Sequence, residues 1–281
     1  TAASGTRDHL WLLAGALLMG VVAAAPAVLE GRDPDRSASS SGAAARTGPP
    51  PSTKMDRVPS AALLPNLVVL PAEELGLSGR DGRRVLRFAT VLTNRGAGPL
   101  QIRPVREEVC PPGQRYVEQR VFLDADRDRS FDRRRDRGTA ALPGGCMVFH
   151  PRHDHWHFDS TAEYALTTLV DPAPIVSRDK VSFCLRDSEP LRGAAERHRR
   201  TYEDCARNRL QGISVGWADR YDATLSGQRL PLPTGFANGV YCLRLEVDPF
   251  DLLTEADESD NTSAVAVRIT GRSVSRAASS C

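Results

Sequence analysis

The sequence predicts a mainly β protein, an antiparallel β-sandwich with long irregular loops around a metal site. Three observations carry this. Past Leu63 the chain breaks into short runs rich in Val, Leu, Ile, Tyr and Phe, separated by Gly and Pro. Only Arg192 to Arg209 has helical character, and its irregular flanks suggest a loop-rich region over the site. Four of the six histidines lie in His150-Pro-Arg-His153-Asp-His155-Trp-His157, and in an extended strand the last three would share one face.

The elements follow in chain order. Leu10 to Leu29 is an uncharged run dominated by Leu, Ala and Val. It is near the roughly 20 residues that span a bilayer, and Ala23-Ala24-Ala25 and Ala25-Pro26-Ala27 are both A-x-A cleavage patterns. Residues 1–30 therefore read as a signal peptide or an N-terminal membrane anchor, and either reading puts the remainder outside the cytoplasm. Residues 31–62, with Ser37-Ala-Ser-Ser-Ser-Gly and Gly48-Pro-Pro-Pro, are too poor in apolar side chains to pack and read as a disordered linker. Residues 63–272 read as one folded domain and 273–281 as a C-terminal tail.

Within the domain the strand candidates are Asn66-Leu-Val-Val-Leu, Arg84-Val-Leu-Arg-Phe-Ala-Thr-Val-Leu, Gln101-Ile-Arg and Tyr116-Val-Glu-Gln-Arg-Val-Phe-Leu. After the histidines come Glu163-Tyr-Ala-Leu-Thr-Thr-Leu, Lys180-Val-Ser-Phe-Cys-Leu, Gly239-Val-Tyr-Cys-Leu-Arg-Leu-Glu-Val and Ser263-Ala-Val-Ala-Val-Arg-Ile. Many short strands with turn signals between them argue for two packed antiparallel sheets.

With 281 residues, 41% of them hydrophobic, the chain supplies one sizeable core. The net charge of +2 is small and the arginines are interleaved with aspartates, as in Asp124 to Arg137, so no basic face for nucleic acid is indicated. Six cysteines in an exported chain suit disulfides, and sequence proximity pairs Cys110 with Cys146 and Cys184 with Cys205. The chain has many arginines but only two lysines, Lys54 and Lys180. A lysine kept in the folded part of such a chain needs a reason.

Three imidazoles at alternate positions, about 6.6 Å apart along a strand, form a metal site with open positions; on chemistry alone zinc and copper both suit it. Downstream come Lys180-Val-Ser-Phe-Cys-Leu-Arg-Asp, Gln211-Gly-Ile-Ser-Val-Gly-Trp-Ala-Asp-Arg-Tyr221 and Gly239-Val-Tyr-Cys-Leu-Arg-Leu-Glu-Val-Asp-Pro. With the histidines, and in this order, they resemble the lysyl oxidase family. Its copper motif W-H-x-x-H-x-H-x-H is matched except that Phe149 stands at the leading Trp.

The resemblance implies that His153, His155 and His157 bind copper, with His150 in an auxiliary role, and that 63–272 is a catalytic domain. It implies a lysyl tyrosylquinone made from Lys180 and Tyr221. Copper and dioxygen would oxidise Tyr221, and the Lys180 amine would add to the ring. A primary amine would then condense with the quinone and leave as an aldehyde, with ammonia and hydrogen peroxide released. The substrates implied are small amines or lysine side chains of extracellular proteins. Animal members have a further histidine where this chain reads Ala162-Glu163-Tyr164, so the general base is open among Glu163, Asp159 and Asp219. Asp187, Glu189 and Asp222 are acidic groups that could attract cationic substrates.

Leu253-Thr-Glu255-Ala-Asp257-Glu-Ser-Asp260-Asn261 resembles the family's acidic turn, and Pro65-Asn66-Leu67-Val68 its opening P-D-L-V. Together Asn66, Leu67, Glu255, Asp257, Asp260 and Asn261 would form a structural calcium site. Asp124 to Asp132 has the carboxylate spacing of a calcium loop, but Arg129 replaces its glycine. Two competing readings are a non-catalytic exported metal-binding β-sandwich for adhesion or storage, and a zinc hydrolase.

Overall fold

Runs of alternating or continuous apolar residues become strands because each must bury one or both faces while its backbone groups find partners in a ladder. A computed structural model describes residues 54–79, 83–107, 109–194, 198–207 and 209–281, with the main chain alone at Asp179 and Lys180. The Leu10 to Leu29 run and most of the expected linker lie outside the described residues. Among the described residues, no helix is long and apolar enough to cross a membrane.

Among them sixteen strands form: β1 (Ala62–Leu63), β2 (Leu67–Val69), β3 (Glu73–Ser78), β4 (Val85–Asn94), β5 (Leu100–Pro104), β6 (Gln114–Leu123), β7 (Thr139–His150) and β8 (His155–Thr167). Then come β9 (Val176–Phe183), β10 (Glu189–Pro190), β11 (Gln211–Ile213), β12 (Trp217–Tyr221), β13 (Arg229–Pro231), β14 (Gly239–Val247), β15 (Thr262–Thr270) and β16 (Ser273–Arg276). The larger sheet runs β11-β5-β6-β7-β8-β14-β15-β16, with β1 on β6 and β9 on β8. The smaller runs β10-β12-β4-β13, with β2 and β3 also on β4. All pairings are antiparallel.

The core lies between the sheets. Leu86, Phe88 and Leu92 of β4 pack with Phe158, Tyr164 and Leu166 of β8 and with Leu243 and Leu245 of β14. Phe88 meets the Tyr164 ring edge-on at 4.8 Å. The Tyr164 hydroxyl, which burial pushes far above its usual range, closes a ring of hydrogen bonds with Thr90 and Gln228. Each of these three buried groups has a partner, as burial of polar atoms requires.

Three features depart from the sequence reading, and β7 adds an irregularity of its own: it contains Pro143-Gly144-Gly145, and the ladder with β6 continues across it through a register shift between Tyr116 and Glu118. Gly145 sits at φ 89°, and the bulge absorbs residues that a regular strand rejects. Arg192 to Arg209 forms no helix among the described residues. Asp187 instead takes two of its backbone N–H groups, those of Thr201 and Tyr202 at 2.8 and 3.0 Å, together with that of Ser214 beyond the segment at 2.7 Å. Residues 54–62, read as linker, pack on the body. Lys54 is only 8% exposed and donates to the Leu253 carbonyl and the Asp251 carboxylate. Residues 273–281, read as a tail, are tied down by β16 on β15 and by a Cys242–Cys281 disulfide. The pairs Cys110–Cys146 and Cys184–Cys205 form as expected.

Candidate metal centre and the tyrosine beside it

β7 and β8 make a hairpin in which His150 pairs with His155. The His150 carbonyl accepts the N–H of His153 at 3.1 Å and of Asp154 at 3.0 Å, and Asp154 turns the chain at φ 55°. Aspartate tolerates that left-handed conformation better than most residues. His155 and His157 therefore alternate along the strand, whereas His153 arrives from the turn. This corrects the expectation of three strand histidines. The chain must reverse here, and Pro151 has no N–H with which to extend the β7 ladder.

The three rings converge all the same. His157 Nε2 lies 3.1 Å from His155 Nε2 and 3.3 Å from His153 Nδ1. An ion about 2.0–2.1 Å from each nitrogen would set neighbouring ligand atoms about 2.9–3.4 Å apart, from square-planar to tetrahedral angles. The spacing fits one metal. His157 Nδ1 faces the Ser182 carbonyl at 3.2 Å, and donating there leaves the Nε2 lone pair for an ion. Burial, then the charges of the neighbouring imidazoles, push His157 down to about 3. Burial and then His153 also lower His155, so both rings are neutral at pH 7, the form that ligates. His150 stacks on His153 at 3.9 Å and braces the turn. On the opposite face Trp156 packs toward the core, with the Arg115 guanidinium 4.3 Å above it.

β9 leads from the histidines to Tyr221. Its Ser182 supplies the carbonyl under His157, and its Phe183 stacks on the Tyr221 ring at 3.9 Å and 18°. The Tyr221 hydroxyl lies 2.7 Å from the Cys184 carbonyl and 2.7 Å from Asp219 Oδ2. Burial first, and then Asp219, raise the phenol well above its usual range. Lys180 falls where β9 has two residues, Asp179 and Lys180, opposite the single Glu163 of β8. Such bulges re-aim the chain and are common beside functional sites.

The acidic candidates separate by depth. Asp219 is fully buried, Asp159 is half-buried and accepts the Ser182 hydroxyl at 3.0 Å, and Glu163 pairs across the sheet with Glu246. Asp187 is buried with four donors on its carboxylate, so it faces no substrate. Asp222 is paired with Arg220 at 3.0 Å. The Ser182 and Cys184 carbonyls escaped sequence reading because no side chain marks a main-chain acceptor. The i, i+2 spacing of Asp219 and Tyr221 was the visible signal, since it places both on one face of a strand.

The acidic turn is hydrogen-bonded to the start of β2 and the residue before it. Asn66 Nδ2 donates to Asp260 Oδ2 at 3.0 Å, the Asp257 N–H donates to Asn66 Oδ1 at 3.0 Å, and the Leu67 N–H donates to Glu255. Asn261 Nδ2 donates to Glu255 Oε1 at 3.2 Å. Asp260 Oδ1 and Asn261 Oδ1 are buried without a hydrogen-bond partner, and two orphaned oxygens beside a buried glutamate fit a hard cation. If the turn binds calcium, the ion at 100 times its dissociation constant adds about 2.7 kcal/mol of stability. Thermal melts with calcium and with chelator check this, and Asn261→Ala should remove the difference. The Asp124 to Asp132 loop is different: Arg135, just beyond it, reaches Asp126, Asp128 and Asp132, and Asp124 accepts the Arg127 and Arg129 N–H groups.

A family model described as lysyl oxidase matches residues 134–281. Human lysyl oxidase homolog 1 is 28% identical over 180 residues, covering 62% of this chain and 30% of that protein. Chicken protein-lysine 6-oxidase is 28% identical over 181 residues, covering 60% of this chain and 40% of that protein. Pig protein-lysine 6-oxidase is 31% identical over 181 residues, covering 60% and 68%. The chain thus spans about three tenths of the human relative's length.

Proposed function

This chain belongs to the lysyl oxidase family, and from that premise we propose that it is a copper-dependent amine oxidase turning primary amines into aldehydes, ammonia and hydrogen peroxide. The observation that carries the reading is the convergence of three imidazole nitrogens beside β9, the strand that contains Lys180 and stacks Phe183 on Tyr221. Copper held by His153, His155 and His157 would supply, with dioxygen, the oxidising power for cofactor formation. A lysyl tyrosylquinone from Lys180 and Tyr221 would supply the carbonyl and the electron sink for amine oxidation.

The chain's own residues do the rest. The Ser182 carbonyl fixes the His157 tautomer, and His150 braces His153. Phe183, the Cys184 carbonyl and Asp219 hold the Tyr221 ring in one orientation, which limits where an amine can add to it. Calcium in the acidic turn would be structural. The three disulfides suit an oxidising compartment outside the cytoplasm, reached through the Leu10 to Leu29 segment as signal or anchor. Lysine side chains of extracellular proteins and small free amines are the substrate classes.

The test is copper-loaded protein supplied with peptidyl lysine and small primary amines in air. A visible quinone band and peroxide release from at least one amine are expected. Colourless protein that yields no peroxide from any of them would sink the proposal.

A further inference from the structure

Asp219 has 0% exposure and lies on β12 two residues before Tyr221. Its Oδ2 is 2.7 Å from the Tyr221 hydroxyl and accepts the Arg186 N–H at 3.2 Å, and its Oδ1 accepts the Ser188 hydroxyl at 3.0 Å. The same Tyr221 oxygen is 2.7 Å from the Cys184 carbonyl. A phenol has one proton, and here it faces two acceptors. If the carboxyl is ionised, only one of the two short contacts contains a hydrogen. If it is protonated, Asp219 donates to Tyr221 and Tyr221 donates to Cys184, and both contacts are satisfied.

The pair therefore has two protonation states that differ by one proton, which in the second lies between Asp219 Oδ2 and the Tyr221 oxygen. Burial, opposed by the hydrogen bonds from Tyr221, Arg186 and Ser188, brings Asp219 up to about 7. The titratable or charged groups that bear on it are Tyr221 and Arg186, with Tyr164 behind Tyr221. A carboxyl of that strength both accepts and releases a proton near neutral pH.

We propose that Asp219 is the proton acceptor for Tyr221 when the quinone is made, a reading that rests on the amine-oxidase function above. In this step one electron leaves the ring for dioxygen, the oxidant of the proposed reaction, as one proton leaves the phenol. The phenolic O–H bond breaks and its proton moves to Asp219 Oδ2, so the charge on the ring oxygen is neutral before and after. Without an acceptor, the oxidised ring would carry an uncompensated positive charge in a buried site, which is costly. The contact to the tyrosine oxygen makes Asp219 a catalytic residue of maturation, whereas Phe183 only positions the ring.

The test follows Asp219→Asn, which keeps the shape and one acceptor but cannot take a proton. Copper is added in air to protein prepared without it, and the Lys180–Tyr221 cross-linked peptide is quantified over time by mass spectrometry. The variant is expected to bind the same equivalents of copper, melt within a few degrees of wild type, and form the cross-link at least about tenfold more slowly. Equal rates overturn the proposal. If wild type also forms no cross-link, the amine-oxidase reading falls, and infrared spectra of the copper-free protein judge Asp219 separately. A protonated-carboxyl band between roughly pH 5 and 7, absent in Asp219→Asn and shifted in Tyr221→Phe, supports the proton link. The lack of such a band overturns it. The Tyr221→Phe comparison also decides the matter if the asparagine variant fails to fold.

Discussion

Lys180→Arg is expected to yield a protein that folds and binds copper but has no quinone band, with peroxide release from any primary amine reduced by roughly 10³-fold or more. The substitution keeps the charge and most of the length, so an electrostatic or surface role for Lys180 would survive it. What it removes is a primary amine that can lose its proton and attack carbon. A guanidinium stays protonated and its lone pairs are delocalised. Tyr221→Phe should give the same loss through the other partner, because a ring without its hydroxyl gives no quinone. Copper equivalents and melting temperature serve as controls, and a Lys180→Arg protein that kept the band and the peroxide would show that the cofactor is made elsewhere. In a chain rich in arginine with two lysines, the retained amine at Lys180 has a chemical reason under this reading.

The sandwich was legible because its strands are written in side chains. Gly239–Val247 emerges as read, and Val85–Asn94 is a near-continuous apolar run that becomes the central strand of the smaller sheet. What was hidden depended on partners distant in sequence. β7 carries Pro143 to Gly145 through its ladder because β6 is beside it to take up the register shift. Arg192 to Arg209 had helix-forming composition, but Asp187 takes two of its backbone N–H groups. The alternation of histidines revealed a three-nitrogen cluster without revealing that the chain reverses inside it. The same limit left Asp219 as one of three open candidates, because its role depends on burial and on a carbonyl 35 residues earlier in the chain. Side-chain identity could nominate the site, whereas only folding could say which carboxylate faces Tyr221.

Lys54→Met is expected to lower stability by about 2–3 kcal/mol, with a fall in melting temperature on the order of 5–10 °C. The ammonium bonds the Leu253 carbonyl and Asp251 and lies 3.3 Å from Glu258 Oε1. Methionine keeps the apolar stem and deletes the charge, so the loss reports the ion pairs. It is smaller than the ~3–5 kcal/mol for breaking a fully buried pair, because the Asp251 and Glu258 side chains keep 34% and 37% exposure. The sign of the pH dependence follows from the neighbours. Burial raises Asp248 to about 7 and also raises Glu258, and the Lys54 charge opposes both shifts. With raised folded-state values, these carboxyls hold protons at mildly acid pH and ionise at a cost as pH rises. Lys54 offsets that cost only where they are ionised. Its contribution should therefore be largest near pH 8 and shrink toward pH 5, the window set by a raised carboxyl near 7. Denaturant midpoints of wild type and Lys54→Met at both pH values measure it. Equal losses at the two would mean that the ammonium acts through the Leu253 carbonyl and Asp251, and not through the titrating Asp248 and Glu258.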